Sequence, residues 1–444
     1  MPARRTTHRA LALALPIAVV AGVVAAGQAV GGEGAAAPRV TGAATLPDIP
    51  LAGFSNGMLP GTVADDRGVD LGGIGSDIFP AGRKGEFWTV TDRGPNGQIK
   101  VDGKKRRTFP VPGFDPALVK IRVTGDHVRV LDSIPITTRA GKAVTGLPNQ
   151  ESRDEAPYTY NASTKLPYDP NGLDTEGIVR AADGSFWLAD EYGPSLVHVA
   201  ADGEVLARYV PKGLNLKGAG YPVVEALPGI LLKRATNRGF EGLAQLPGGD
   251  LVAAVQSPLA NPDEESGEAS RTTRLIRFSP GREAVTAEYA YRFDPVSVVD
   301  PGEEDTSELK ISSLVALGRE TLLVQERTDK AARLHKVRLD EGHDILGGRW
   351  DAGATAPALE QLKDPAADGV PVLGKKLVVD LGKLDGVPGK IEGVAVTGRS
   401  TLALINDNDF GMSDGAEAFD ADGRLVDSDT ETKVTTVHLG EPLR

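Results

Sequence analysis

The sequence predicts an all-β fold, a β-propeller with five recognisable blade-like repeats that closes with five or six blades. Three observations carry this. Short runs rich in Val, Leu, Ile, Phe and Trp, bounded by Gly, Asp and Pro, recur along the chain, while long 3.6-residue periodicities are scarce. Turn formers are abundant, with 54 glycines and 31 prolines in 444 residues. One hairpin pattern also repeats, and a propeller packs repeated antiparallel sheets radially with short, protected edges. A β-sandwich would hold similar strands but requires no such repeat.

In chain order, the first element is an address. Arg4, Arg5 and Arg9 precede an uncharged run from Ala10 to Ala29, the pattern of an export signal. Residues 1–29 are expected to be removed, leaving 30–45 as a Gly/Ala/Pro linker and 46–444 as the propeller. The alternative is a retained membrane anchor, which Pro16, Gly22 and Gly27 weaken. The net charge of −12 becomes −15 once those three arginines leave. The expected location is therefore extracellular.

Composition then removes several chemistries. An acidic chain lacks the basic face that nucleic-acid binding needs. The absence of Cys excludes disulfides, thiolate zinc sites and a Cys nucleophile, and six His leave little for His-based metal sites. No His-Glu-x-x-His helix and no complete Gly-x-x-x-x-Gly-Lys-Ser/Thr phosphate loop is present. No stretch after the N-terminus is long and apolar enough to span a membrane. A monomer is expected.

Four segments superimpose. Asp174-Thr175-Glu176-Gly177-Ile178 leads through Asp183-Gly184 to Phe186-Trp187-Leu188-Ala189-Asp190-Glu191. Phe240-Glu241-Gly242-Leu243 leads through Gly248-Gly249 to Leu251–Gln256. Ile311-Ser312-Ser313-Leu314 leads to Leu322–Glu326, and Ile391-Glu392-Gly393-Val394 leads to Leu402–Asp407. A degenerate fifth copy runs from Gly73-Ile74 to Phe87–Asp92. Glu176 and Glu191, Glu241 and Gln256, and Glu392 and Asp407 are each 15 residues apart, and Ser312 and Glu326 are 14 apart. The midpoints fall on Asp183-Gly184 and Gly248-Gly249, which favour two-residue hairpin turns. Further strands are expected at 196–199, 273–278, 333–337 and 435–439.

A hairpin brings its two ends together, so the repeat gathers carboxylates at one mouth. Asp92, Glu191, Glu326 and Asp407 are the expected catalytic positions. Glu176, Asp190, Glu191, Glu241, Glu392, Asn406 and Asp407 are the expected metal ligands. Such a cluster repels itself unless protonated or neutralised, and hard oxygen ligands in flexible geometry suit calcium. The other reading is that each Glu bonds a neighbouring blade's backbone and holds the ring shut. The dense basic stretch holds Lys104, Lys105, Arg106 and Arg107; with Arg93 and Arg327 it would clamp an anion, or else it is a solvated charge run. The expected partner is a small anionic substrate, an organic phosphate among the candidates.

The run from Asp174 to Ser195, with Thr91-Asp92-Arg93-Gly94-Pro95-Asn96, Gly146-Leu147-Pro148-Asn149, Arg238–Leu243 and Asn406-Asp407-Asn408, resembles the phytase-like family, also called esterase-like activity of phytase. The resemblance spans roughly residues 50–440. That family is more distantly similar to calcium-dependent β-propeller phytases, six-bladed enzymes that hydrolyse inositol phosphates. There, Glu of repeated Glu-Gly motifs helps hold channel calcium, which implies Glu176, Glu241 and Glu392 as ligands here. Ser312-Ser313 stands in place of one Glu-Gly, and the first unit has no Glu. The expected function is an exported calcium-dependent phosphoesterase using metal-activated water. The alternatives are a calcium-dependent lactonase or esterase, and a secreted binding propeller without catalysis.

Overall fold

The computed structural model describes residues 36–443, so the signal expected at 1–29 lies outside the described residues. Its first half holds β1 (Arg39–Thr45), β2 (Asp77–Pro80), β3 (Glu86–Val90), β4 (Gly97–Val101), β5 (Lys104–Thr108), β6 (Ala117–Thr124), β7 (His127–Pro135), β8 (Pro157–Tyr158), β9 (Thr175–Arg180), β10 (Phe186–Asp190), β11 (Ser195–Val199), β12 (Val205–Pro211) and β13 (Val223–Leu227). There follow β14 (Phe240–Gln245), β15 (Leu251–Val255), β16 (Thr272–Ser279), β17 (Ala284–Arg292), β18 (Lys310–Ala316), β19 (Thr321–Arg327), β20 (Ala332–Arg338), β21 (Lys375–Asp380), β22 (Ile391–Gly398), β23 (Thr401–Asn406) and β24 (Lys433–His438). The fold is all-β, and the four strands expected after the hairpins are β11, β16, β20 and β24.

Each repeat opens a sheet. β9 to β12 form a meander that β13 extends, and β14 to β17 and β18 to β21 form two more. β2, β3, β6 and β7 form a fourth group, and β22, β23, β24 and β1 a fifth. These two groups merge into one eight-stranded sheet through a single parallel bridge, Thr45 to His127. The opening strands lie side by side in cyclic order β2, β9, β14, β18, β22 and back to β2. They enclose a cavity of about 230 Å³ lined by Ile78, Ile178, Leu243, Leu314 and Val394, one from each. This arrangement is propeller-like.

Burial explains why the inner runs are continuously apolar. Leu251–Val255 is buried on both faces, because one face packs on each neighbouring sheet. The glycine of each Glu-Gly pair lets neighbouring backbones meet. A Cβ on Gly177 would lie 2.6 Å from the Glu241 carbonyl oxygen, and one on Gly393 would lie 2.8 Å from the Ile78 nitrogen.

Two expectations are corrected. Arg39–Thr45, placed in the 30–45 linker, is a strand paired antiparallel with β24. Its Gly and Ala content hides β-branched Val40, Thr41 and Thr45, and the partner lies almost 400 residues away. The hairpin loops at Asp183-Gly184 and Gly248-Gly249 have three residues, not two. Ala181 N–H bonds Ser185 O, Leu246 N–H bonds Asp250 O, and only Gly184 (φ 91°) and Gly249 (φ 92°) take positive φ. The two-residue Asp-Gly turn is instead Asp102-Gly103, with φ of 50° and 77°, joining β4 to β5.

Candidate functional site

The mouth is built from two rings of equivalent positions. On the outgoing strands, N–H groups of Asp92, Glu191, Gln256 and Asp407 donate to the carbonyls of Gly73, Asp174, Gly239 and Lys390. In the remaining unit Arg327 pairs with Lys310. Two residues beyond those carbonyl positions stand Gly75, Glu176, Glu241, Ser312 and Glu392. The first unit has one more residue between Gly73 and its cavity residue Ile78 than the other units have, so Ser76 as well as Gly75 stands where they carry Glu or Ser; a Cβ on Gly75 would sit 2.1 Å from the Asn406 carbonyl oxygen.

On one side of the mouth, Asp92, Asp174 and Glu176 each offer an oxygen within 4.8 Å of the others, and all three are buried. Arg93 contacts Asp174 at 3.1 Å and Glu191 at 3.8 Å. Gly94 N–H donates to Asp92 Oδ1 at 2.8 Å. Among the described residues, no donor or cation reaches the Glu176 carboxylate. Burial first, then Glu241 and Asp174, push the Glu176 pKa well above the usual range. Burial first, then Asp407 and Asp174, do the same to Asp92. Glu191 is pushed up to about 7 by burial and Asp174.

The other side carries its own cations. Arg327 Nε donates to Ser312 Oγ at 2.6 Å, its Nη1 to Asp329 at 2.9 Å, and its Nη2 to Glu392. The same Nη2 lies 3.7 Å from Glu241 Oε1, which also accepts from Ser312 Oγ at 3.2 Å. Among the described residues Glu241 Oε2 is buried without a hydrogen-bond partner, and burial, Glu191 and Glu392 push that carboxyl up to about 8. Lys310 bonds Asp329 at 2.9 Å; Lys390 bonds Asp407 at 2.7 Å and also Asp409.

The expected residues divide accordingly. Asp92, Glu176, Glu191, Glu241, Glu392, Asp407, Arg93 and Arg327 meet at the mouth, and none of the three Glu of the Glu-Gly pairs accepts a backbone N–H from a neighbouring sheet among the described residues. Three do not join them. Asp190 is fully buried against Arg208 at 2.5 Å and accepts Asp174 N–H at 2.8 Å. Asn406 accepts Lys433 N–H at 2.7 Å and donates to Glu431 O at 3.1 Å, tying β23 to β24. Glu326 faces away, accepting from the Tyr291 hydroxyl at 2.6 Å and Asp294 N–H at 3.0 Å. Strand alternation is the cause: each of the three sits one residue before the position that reaches the mouth. Asp294, Glu326 and His335 form a second acidic group, but Lys375 bonds both Asp294 and Glu326 and supplies its cation.

Above the mouth opens a polar basin of about 680 Å³. Its cations are Lys105, Arg107, Arg238, Lys310 and Lys390. The basic stretch is a hairpin, so its side chains alternate. Lys105 and Arg107 line the basin, with Arg107 bonded to Glu155 and Asn96 at 3.0 Å each. Arg106 turns away to stack 4.8 Å over Tyr158 and bond Ala162 O, and Lys104 is exposed outside the basin lining.

The family model described as phytase-like, esterase-like activity of phytase, matches residues 69–410. The chain belongs to the phytase-like family. The matched span runs from before β2 through β23 and includes every mouth residue named above. A relative in Arthroderma benhamiae, named an uncharacterized secreted protein, is 24% identical over 298 residues, 58% of this chain and 58% of that one. The chain thus spans little more than half the length of that relative. Among solved structures, a luciferin-regenerating enzyme aligns at 11% identity and a TM-score of 0.35, covering 84% of this chain and 94% of that one. Virginiamycin B lyase of Staphylococcus aureus aligns at 10% identity and 0.31, covering 82% and 94%. Neither likeness bears on chemistry, and the propeller-like arrangement rests on the sheets.

Asp174, Arg238, Lys310 and Lys390 were missed by the sequence reading. A signal existed for three of them: Asp174, Lys310 and Lys390 each stand two residues before the Glu or Ser of a repeat. The 14-residue spacing to Glu326 was the other clue, since the common 15 leads to Arg327.

Proposed function

We propose that this phytase-like chain is an exported, calcium-dependent hydrolase acting on phosphomonoesters at the mouth of a five-bladed propeller. One observation carries the reading: the Glu176 carboxylate lies buried beside Asp92 and Asp174 with no cation or donor of its own among the described residues. The donors are all hard oxygens, which fits calcium. When bound, calcium would neutralise these carboxylates, polarise a phosphoryl oxygen and acidify water. Asp92, Asp174 and Glu176 would hold it. Glu191, oriented by Gln256 at 3.4 Å and Arg93 at 3.8 Å, would accept the proton of the attacking water. Lys105 and Arg238 have no ion-pair partner among the described residues and would hold the substrate's outer anionic groups. Five opening strands lining one cavity support the blade count. The relative's name and the Arg-led uncharged run from Ala10 to Ala29 support export.

Ester or lactone hydrolysis at the same site is the second reading, favoured by the family's esterase-like description. Phosphate release from inositol hexakisphosphate and from a simple phosphomonoester, beside turnover of an aryl ester and a lactone, decides between them. Each is measured with calcium and with a chelator. Calcium-dependent phosphate release is expected. Ester or lactone turnover alone would replace the phosphatase reading. No turnover by folded, calcium-loaded protein would leave a binding propeller.

A further inference from the structure

The internal repeat allows each unit of the mouth to be compared with the others. Three units present Glu (Glu176, Glu241, Glu392), facing Glu191, Gln256 and Asp407 fifteen residues on. One unit differs at both positions, with Ser312 and Arg327. The two changes form one device. Ser312 brings a hydroxyl in place of a carboxylate, and it accepts Arg327 Nε at 2.6 Å, which aims the guanidinium along the ring. The far end of that guanidinium meets Glu392 and approaches Glu241 to 3.7 Å. These two Glu flank the Ser312 unit in the cyclic order of opening strands. Arg327 is 1% exposed, so its charge is shielded from solvent and always present.

Charge therefore divides the mouth. Arg327, Lys310 and Lys390 stand among Glu241, Glu392, Asp329, Asp407 and Asp409. Across from them, among the described residues, Asp92, Asp174, Glu176 and Glu191 share Arg93 alone, which of the four contacts Asp174 and Glu191. Two positive centres packed against the same carboxylates repel strongly at low dielectric. A metal ion at Glu241 and Glu392 would have to displace the far end of the guanidinium, and would strip this buried cation of Glu392, leaving Asp329 as its one carboxylate partner.

We propose that Arg327 takes the place of a metal ion on the Glu241–Glu392 side, so that the mouth holds a single divalent cation, at Asp92, Asp174 and Glu176. This inference rests on the calcium reading of the mouth given above. Calcium titrations by calorimetry on the purified protein and three variants test it. Wild type is expected to show one tight equivalent that Glu176→Gln loses. The paired change Ser312→Glu with Arg327→Gln rebuilds the pattern of Glu241 and Gln256 and is expected to gain one equivalent. Arg327→Met, which exposes the two Glu to each other without adding a ligand, is expected to melt at least several degrees lower in chelator and to recover with calcium. Folding of each variant is checked by circular dichroism in saturating calcium.

Folded wild type that binds no calcium would remove the calcium reading itself. Wild-type binding lost in Glu176→Gln, but an unchanged equivalent count in the folded double variant, would overturn the Arg327 inference alone. Should the variants not fold, wild-type crystals grown with calcium decide: an ion between Asp92, Asp174 and Glu176 only is expected, and an ion against Glu241 and Glu392 would overturn the proposal.

Discussion

At the scale of single residues, the molecule separates buried charges that hold the fold from those that hold the mouth. Arg208 is fully buried and serves Asp190, Ser195, Asn149 and the Tyr192 carbonyl at once. Arg208→Met should therefore destabilise by about 3–5 kcal/mol, because Asp190 is left charged in the interior. Denaturant melts would measure this, with calcium affinity unchanged. Asp115 behaves differently. It is fully buried, and burial pushes its pKa up to about 6, above the ordinary 3.8, with the Ser55 and Thr62 hydroxyls opposing. A raised carboxyl pKa favours the protonated folded state, so its contribution is greatest below pH 3.8 and is lost as pH rises through 6. Asp115→Asn should gain on wild type by roughly 2 kcal/mol between pH 4 and pH 7, most of it between 4 and 6. A stability difference that does not change with pH would disprove the assignment.

At the scale of elements, the Glu-Gly pair couples the site to closure of the ring. Glu supplies the carboxylate, and Gly lets the next opening strand approach. Gly177→Ala would put a methyl 2.6 Å from the Glu241 carbonyl. It should lower stability by about 1–3 kcal/mol through overpacking and weaken calcium binding by shifting Glu176 in the same strand; thermal melts and calcium titration check both. The hairpin spacing was legible from sequence because burial on both faces forces continuous apolar runs between fixed ends. What lay between those ends was less so. A register slip of one residue turns a strand's side chains over, and that slip set Glu326 at the hairpin end that Arg327 occupies. The partners of Asp190 and Asn406 lie on later strands, which no local pattern announces. β1 was hidden for the same reason, since only its pairing with β24 makes 39–45 a strand.

At the scale of the whole molecule, closure and charge belong together. The fifth group of strands is completed by β1 from the N-terminal end of the described residues, and Thr45 N–H reaches Asp126 O at 3.0 Å to bridge to the fourth. Deleting residues 36–45 should leave β24 with a bare edge and lower the melting temperature. On the proposed calcium reading, the acidic mouth carries a repulsion that a divalent cation would relieve, so calcium should stabilise wild type through linkage by about 2.7 kcal/mol at a hundredfold excess over Kd, read as a higher melting temperature. The same cation is asked to serve chemistry, and Glu176 joins the two roles. The most direct measurement is the initial rate of phosphate release from a phosphomonoester across a calcium titration, for wild type and Glu176→Gln, both confirmed folded. The account predicts a calcium-dependent rate in wild type that the variant loses or needs at least tenfold more calcium to reach. Equal rates with equal calcium dependence in the two proteins would contradict it.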